Sequence, residues 1–256
     1  MRGLTFIGLS PVWCAAVAAV VGWSGCARDG AGCATPLGAV TSDEIALELS
    51  PDLLVIRDRI EVHWWPGDPV PRIARHAWEG TLEGLSIVED GGVIYIEDFN
   101  RCAWARRMDA IPRVDLMGLA PPHVLLESQA DFIMEGPWVG GNLSIEGDEM
   151  AGNLHLQFLG DSLRLRLPNG IGHATVEGEA VRFSTFRGGF GDLEATALDA
   201  QQVLAHHGGV GEMKLRPEGY LFLELAGAGD VHLMGPGAER DIHILPGAAG
   251  EVIELP

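Results

Sequence analysis

From about Leu143 onward the chain repeats a short unit, and that repeat constrains its fold more than any other feature. Apolar anchors recur in steps of ten at Phe183, Leu193, Val203, Met213, Leu223, Leu233 and Ile253. The one missed step falls at His243, which Ile242 and Ile244 flank; further back, Leu143, Leu154, Leu163 and Ala174 keep the beat within a residue. Each anchor sits in a run that alternates apolar and polar residues, as in Leu163-Arg164-Leu165-Arg166-Leu167. Glycines separate the runs, at Gly170/Gly172, Gly188/Gly189/Gly191, Gly208/Gly209/Gly211 and Gly227/Gly229. Alternation at period two predicts strands, and glycine supplies the positive φ that tight turns need. Self-similarity at a fixed period predicts a solenoid.

A strand of about five residues and a turn of similar length make one unit, and two units make a coil of about 20 residues. Such coils stack at the inter-strand spacing of roughly 4.8 Å. A β-meander with ten-residue spacing is the competing architecture. Anchors at one fixed offset favour stacked coils, which need them where hairpins do not. Ala197–His206 has helical propensity, but Val203 keeps the beat and places the segment in the repeat. Glycine, at 35 of 256 residues, is well above the ordinary share of roughly 7%. The expected fold is all-β: a parallel β-helix-like solenoid preceded by an irregular β segment.

That irregular segment covers residues 42–119. Leu53–Ile56, Arg59–His63, Leu85–Val88, Val93–Ile96 and Arg113–Met117 read as strands, with a turn at Asp90-Gly91-Gly92. Pro66, Gly67, Pro69 and Pro71 break the chain, and Pro121-Pro122 marks the change to regular repeats over 120–240. Residues 241–256 form a terminal cap or one more strand, Val252–Leu255, since solenoid ends need covering.

Residues 1–25 combine Arg2 with an apolar stretch and small residues before Cys26, the layout of a signal peptide. Ser24-Gly25-Cys26 resembles a bacterial lipobox, whose cysteine takes the lipid, although Trp23 stands where leucine is usual. Cys26 is therefore the expected lipidation site. Residues 26–41 follow as a flexible tether rich in small residues. Cys33 and Cys102 are either an extracytoplasmic disulfide pair or two unrelated thiols.

The formal charge is -19, and Lys214 is the only lysine. Loss of residues 1–25 removes Arg2 and no acid, taking the charge to -20. Such a chain repels nucleic acid and anionic membrane surfaces. The remaining chemistry-bearing groups each have a plain structural reading. His206-His207, with His232 and His243, could bind metal, but neighbours on a strand face opposite ways and read as surface or turn histidines. Asp192 and Asp230 follow Gly-x-Gly turns and read as turn caps before calcium ligands. Glu146, Arg164, Arg166, Glu177, Arg182, Glu194 and Lys214 are outward positions that an enzyme acting on polysaccharides could use; they read as solvated. Trp64-Trp65, Trp78, Trp104 and Trp138 are either a sugar-stacking platform or aromatic filling at the N-terminal end of the core. There is no phosphate loop, serine elbow or CxxC pair.

The chain resembles the putative auto-transporter adhesin head GIN domain family, common among lipoproteins of Bacteroidota. The resemblance rests on a lipobox-like cysteine, then Val93-Ile94-Tyr95-Ile96, then Asn100-Arg101-Cys102-Ala103-Trp104-Ala105-Arg106. It continues through the turns at Gly189 and Gly191, Gly209 and Gly211, and Gly227 and Gly229, to the ending Leu233-Met234-Gly235-Pro236. The resemblance covers about residues 50–240 and implies a right-handed β-helix, adhesion and assembly into trimers. It implies no catalytic residues, cofactor or metal. The expectation is a non-enzymatic lipoprotein of the outer membrane, on the cell surface or periplasmic face, whose solenoid contacts a cell-surface protein or glycan. The alternatives are a polysaccharide-acting β-helix enzyme and an envelope structural or signalling-associated protein.

Overall fold

The computed structural model describes residues 38–47, 50–100, 111–235 and 237–255. Strand makes up 64% of it, with no α-helix among the described residues and one 3-10 turn at Leu82–Gly84. In chain order the strands are β1 (Val40–Ala46), β2 (Leu53–Asp58), β3 (Glu61–Trp65), β4 (Arg72–Trp78), β5 (Leu85–Asp90), β6 (Val93–Asp98), β7 (Arg113–Met117), β8 (His123–Ser128) and β9 (Phe132–Met134). They continue as β10 (Trp138–Gly147), β11 (Leu154–Leu167), β12 (Ala174–Arg187), β13 (Leu193–His207), β14 (Met213–Leu225), β15 (Val231–Leu233), β16 (Glu239–Ile244) and β17 (Val252–Glu254).

The result is a β-solenoid of about 7 turns with ~20 residues per turn. Each coil has two walls. The first wall stacks β9, the opening halves of β11 to β14, then β15 and β17. The second wall stacks β8, the closing halves of β10 to β14, and β16. The long strands cross from the first wall to the second at a corner near Leu159–Asp161, and glycine-rich turns return the chain to the first wall. All of these neighbours are parallel, so consecutive coils pair without hairpins.

Alternation drives burial as expected. Along β11, Leu154, Leu156, Phe158, Leu163, Leu165 and Leu167 point into the lumen, and the residues between them face out. Phe183, Leu193, Val203, Met213, Leu223 and Leu233 are all at or below 1% exposure. Ile253 departs from this reading. Val231 pairs with Val252, so this coil is 21 residues long and Ile253 lies beside outward His232. An odd shift in a strand exchanges its two faces. The missed step at His243 has the same origin, because Leu223 pairs with Ile242 at an offset of 19.

The N-terminal coils stack in an order different from their order in the chain. β2 is parallel to β6 on one side (Val55↔Tyr95) and to β8 on the other (Val55↔Leu125). β3 likewise lies between β7 (Trp64↔Leu116) and β9 (Trp64↔Met134). The β2–β3 coil is therefore first in sequence and second in the stack, inserted between β6–β7 and β8–β9. Antiparallel strands close this end: β5 on β6, β4 on β7 and β1 on β4. The β5–β6 hairpin turns on Gly91 and Gly92, both at positive φ (58° and 83°), as a two-residue turn of this hand requires. Trp64 fills the lumen here. Its indole packs on Phe132 and Trp138 at 5.8 and 5.7 Å, and its Nε1–H donates to the Leu119 carbonyl at 2.9 Å.

Candidate functional site

Parallel in-register stacking turns each outward position into a column that runs along the solenoid. On the second wall one column reads Leu125, Glu146, Arg166, Phe186, His206, Glu224 and His243. Its members are coupled in series. Arg166 Nη1 donates to Glu146 Oε1 at 2.9 Å, and its guanidinium lies 5.7 Å from the centre of the Phe186 ring. Phe186 stacks on His206 at 4.7 Å with 5° between planes, close to the spacing of adjacent strands. His206 Nδ1 meets Glu224 Oε1 at 2.6 Å. The parallel column two residues earlier reads His123, Ser144, Arg164, Ser184, Leu204, Phe222 and Asp241. Between the two columns runs a shallow open groove of about 280 Å³, from Arg164 and Arg166 at one end to Phe222 and Glu224 at the other. Leu204, 37% exposed, contributes to its floor.

The glycine-rich turns form a second ordered edge, and their glycines have a different cause from the one expected. Of Gly189, Gly191, Gly209, Gly211, Gly227 and Gly229, Gly189 alone has positive φ. The stack itself demands the others. A Cβ on Gly152, Gly172, Gly191, Gly211, Gly229 or Gly250 would collide with the carbonyl of the preceding coil, well inside 3.0 Å. Asp131, Asp192 and Asp230 serve the same edge. Each accepts, through Oδ1, the backbone N–H of Asn153, Glu212 and Glu251 in the next coil, at 2.7, 2.8 and 2.9 Å. The aspartates thus cap turns as expected, but the amide they satisfy belongs to the neighbouring coil.

Beneath this edge lie two buried polar groups. Arg187 is 1% exposed, and its guanidinium donates to the carbonyls of Gly191 (2.8 Å) and Gly172 (2.6 Å). Loss of solvent pulls its pKa below the ordinary arginine value, against the attraction of Asp192. His207 stands next in the same lumen column, fully buried. Burial pushes its pKa down, while backbone groups of Gly211 and Gly229 oppose the shift. The reading of His207 as a surface or turn residue is therefore corrected. Its side chain takes the inward place because the alternation from Val203 and Ala205 reaches it, and His206 alone faces out. His243 joins the His206 column, and His232 stacks on Lys214 in the first wall, so the four histidines do not converge. Among the described residues no three His, Cys, Asp or Glu are placed to hold a metal ion.

The other sequence candidates disperse. Glu194 pairs with Lys214 at 3.3 Å on the first wall, and Arg182 reaches Gln202 at the corner. Trp64 and Trp138 are core, whereas Trp65 lies outward, stacked on His63 at 5.9 Å. Asn100 is buried, and its amide donates to the Thr81 carbonyl at 2.8 Å. Cys26, Cys33, Cys102 and Trp104 lie outside the described residues. Phe186, Leu204 and Phe222 went unrecognised in the sequence. The signal was present in the 20-residue spacing of Arg166, Phe186 and His206, which shows only when outward positions are aligned as well as anchors.

These features define a β-solenoid with a filled lumen and a decorated outer wall. Residues 107–237 match the family described as "Putative auto-transporter adhesin, head GIN domain", and the chain belongs to that family. Its fold is also that of several solved structures. A putative adhesin from Bacteroides fragilis superposes with a TM-score of 0.73 at 14% identity, over 85% of this chain and 97% of that one. A putative lipid binding protein from Parabacteroides distasonis gives 0.62 at 16%, over 86% and 98%. A putative adhesin from Parabacteroides merdae gives 0.54 at 17%, over 86% and 97%. No curated protein matches the chain by sequence.

Proposed function

We propose that the chain is a non-enzymatic cell-envelope binding protein, an adhesin held at the outer membrane by lipid on Cys26, which contacts a surface glycan or protein through the second wall. The observation that carries this reading is the ordered pair of outward columns on that wall. Side chains stand in register at the strand spacing there, so a long ligand meets an outward residue on every coil and many weak contacts sum. The lumen is filled by packed apolar columns, which leaves contact to the outer face. The adhesin family and the adhesin-like neighbours support an extracytoplasmic place and a binding role. Ion pairs and ring stacks already engage most charged groups of the wall with one another, the arrangement of a rigid contact face.

The test is protease shaving of intact cells, with membrane fractionation and mass spectrometry of the released peptides. Solenoid peptides shed from intact cells, and loss of the protein from the outer-membrane fraction in Cys26→Ala, are the expected results. Full protection in intact cells contradicts surface adhesion and moves the role inside the envelope.

A further inference from the structure

We infer that the groove on the second wall recognises a carboxylated saccharide, with the carboxylate seated on Arg164; the inference rests on the adhesin reading above and names its ligand class. Three observations carry it. First, Arg164 makes no ion pair or hydrogen bond among the described residues, although the chain carries a formal charge of -19. Its neighbours on the wall are engaged, Arg166 by Glu146 and His206 by Glu224. An arginine without an acidic partner beside a groove, in a chain with acids to spare, presents its fork to an anion, and carboxylates fit that fork with two parallel bonds.

Second, the groove offers what a sugar ring needs next to that charge. Leu204 and Phe222 give an apolar floor, and Ser184, in register with Arg164, adds a hydroxyl. Phe186 is stacked on His206 and lies under the Arg166 guanidinium, and Phe222 is tilted against His243 at 5.4 Å, so Leu204 and the remaining surface of Phe222 form the apolar floor. The groove is open along the wall, which admits a chain of rings and not only a single one.

Third, the backbone closes the strand-addition route to the main alternative, an acidic peptide. β12 and β13 are each paired on both sides, to β11, to one another and to β14. Their N–H and C=O groups are committed, so an acidic peptide cannot add as a strand and would have only side chains to bind. A saccharide is recognised through hydroxyls, ring faces and charged substituents, which is what the groove presents. The overall negative charge of the chain does not forbid this. Screening shortens charge effects to about 8 Å at physiological salt, and the charge left unbalanced at that end of the groove is that of Arg164, since Glu146 offsets Arg166.

The experiment uses a glycan array of carboxylated saccharides beside the same backbones with carboxyl groups reduced to alcohols. It is followed by calorimetric titration with an oligogalacturonate and its methyl ester. Binding confined to carboxylated members is expected, with affinity lower by roughly tenfold or more for the ester and for R164Q. R182Q, at the corner, is expected to bind as the wild type does, and melting curves check that both variants fold. Equal binding of acid and ester, no loss in R164Q, no signal on any acidic glycan, or equally tight capture by poly-L-glutamate each overturn the inference. If shaving of intact cells succeeds while the acidic glycans fail, the adhesin reading stands and the ligand class alone is wrong.

Discussion

The C-terminal coils, β10 to β17, and the N-terminal coils, β2 to β9, build the same lumen by opposite means. In the C-terminal part each strand pairs with the chain one coil further on, 17 to 21 residues away (Ala200↔Pro217, Val231↔Val252), and glycine columns let the turns nest. In the N-terminal part β2 meets strands 40 and 70 residues away (Leu53↔Val93, Leu53↔His123), and among the described residues its turns carry no such glycine column. Trp64, Phe132 and Trp138 fill the space instead. Regular coils depend on the absence of side chains at the edge; irregular ones depend on large side chains inside.

That contrast can be broken at either end. The largest effect is expected from Gly191→Val, which drives a side chain into the Gly172 carbonyl and the Arg187 guanidinium. The loss should exceed about 4 kcal/mol, the range of severe core lesions, and denaturant melts should show the C-terminal coils no longer cooperative. Trp64→Ala should cost about 3–5 kcal/mol and weaken the N-terminal coils first, seen as early loss of amide protection in β3, β7 and β9. A smaller effect belongs to His207. The folded state holds its ring neutral because burial lowers its pKa. The unfolded chain takes up a proton below about pH 6.5. Its contribution is therefore full above that pH and falls as pH drops below it. Urea melts at pH 7.5 and 5.5 should lose less stability in His207→Leu than in the wild type. Gly91→Ala, in the open hairpin turn at φ 58°, should cost about 1–2 kcal/mol from backbone strain alone. Arg166→Ala, on the exposed column, should cost less than about 1 kcal/mol, because surface ion pairs are weak.

The same contrast decides what could be read from the sequence. The anchors from Phe183 to Leu233 announced their burial because local coils repeat them at even offsets, which preserve the face. Ile253 was misplaced because one coil is longer by a single residue. The insertion of β2 between β6 and β8 leaves no periodic trace, since its partners are distant and its alternation is that of any strand. Arg187 and His207 were illegible for a different reason. A charged residue at an inward position looks like an error in the pattern until the turn carbonyls that hold the guanidinium are in place. At the groove, Arg164 and Arg166 were seen as outward, but their aromatic neighbours came from coils 20 and more residues away.

The continuous outer wall requires β2 to lie between β6 and β8, and paired cysteines test this directly. In a background with the native cysteines changed to serine, three double variants are compared: Val55→Cys with Tyr95→Cys, Val55→Cys with Leu125→Cys, and Tyr95→Cys with Leu125→Cys. Disulfides form only when Cα atoms lie within about 7 Å. The first two pairs are adjacent strands and should both cross-link on oxidation; the third spans two strand spacings and should not. Efficient cross-linking of Tyr95→Cys with Leu125→Cys, with no bond between Val55→Cys and Leu125→Cys, would mean that the coils stack in chain order and would contradict the account.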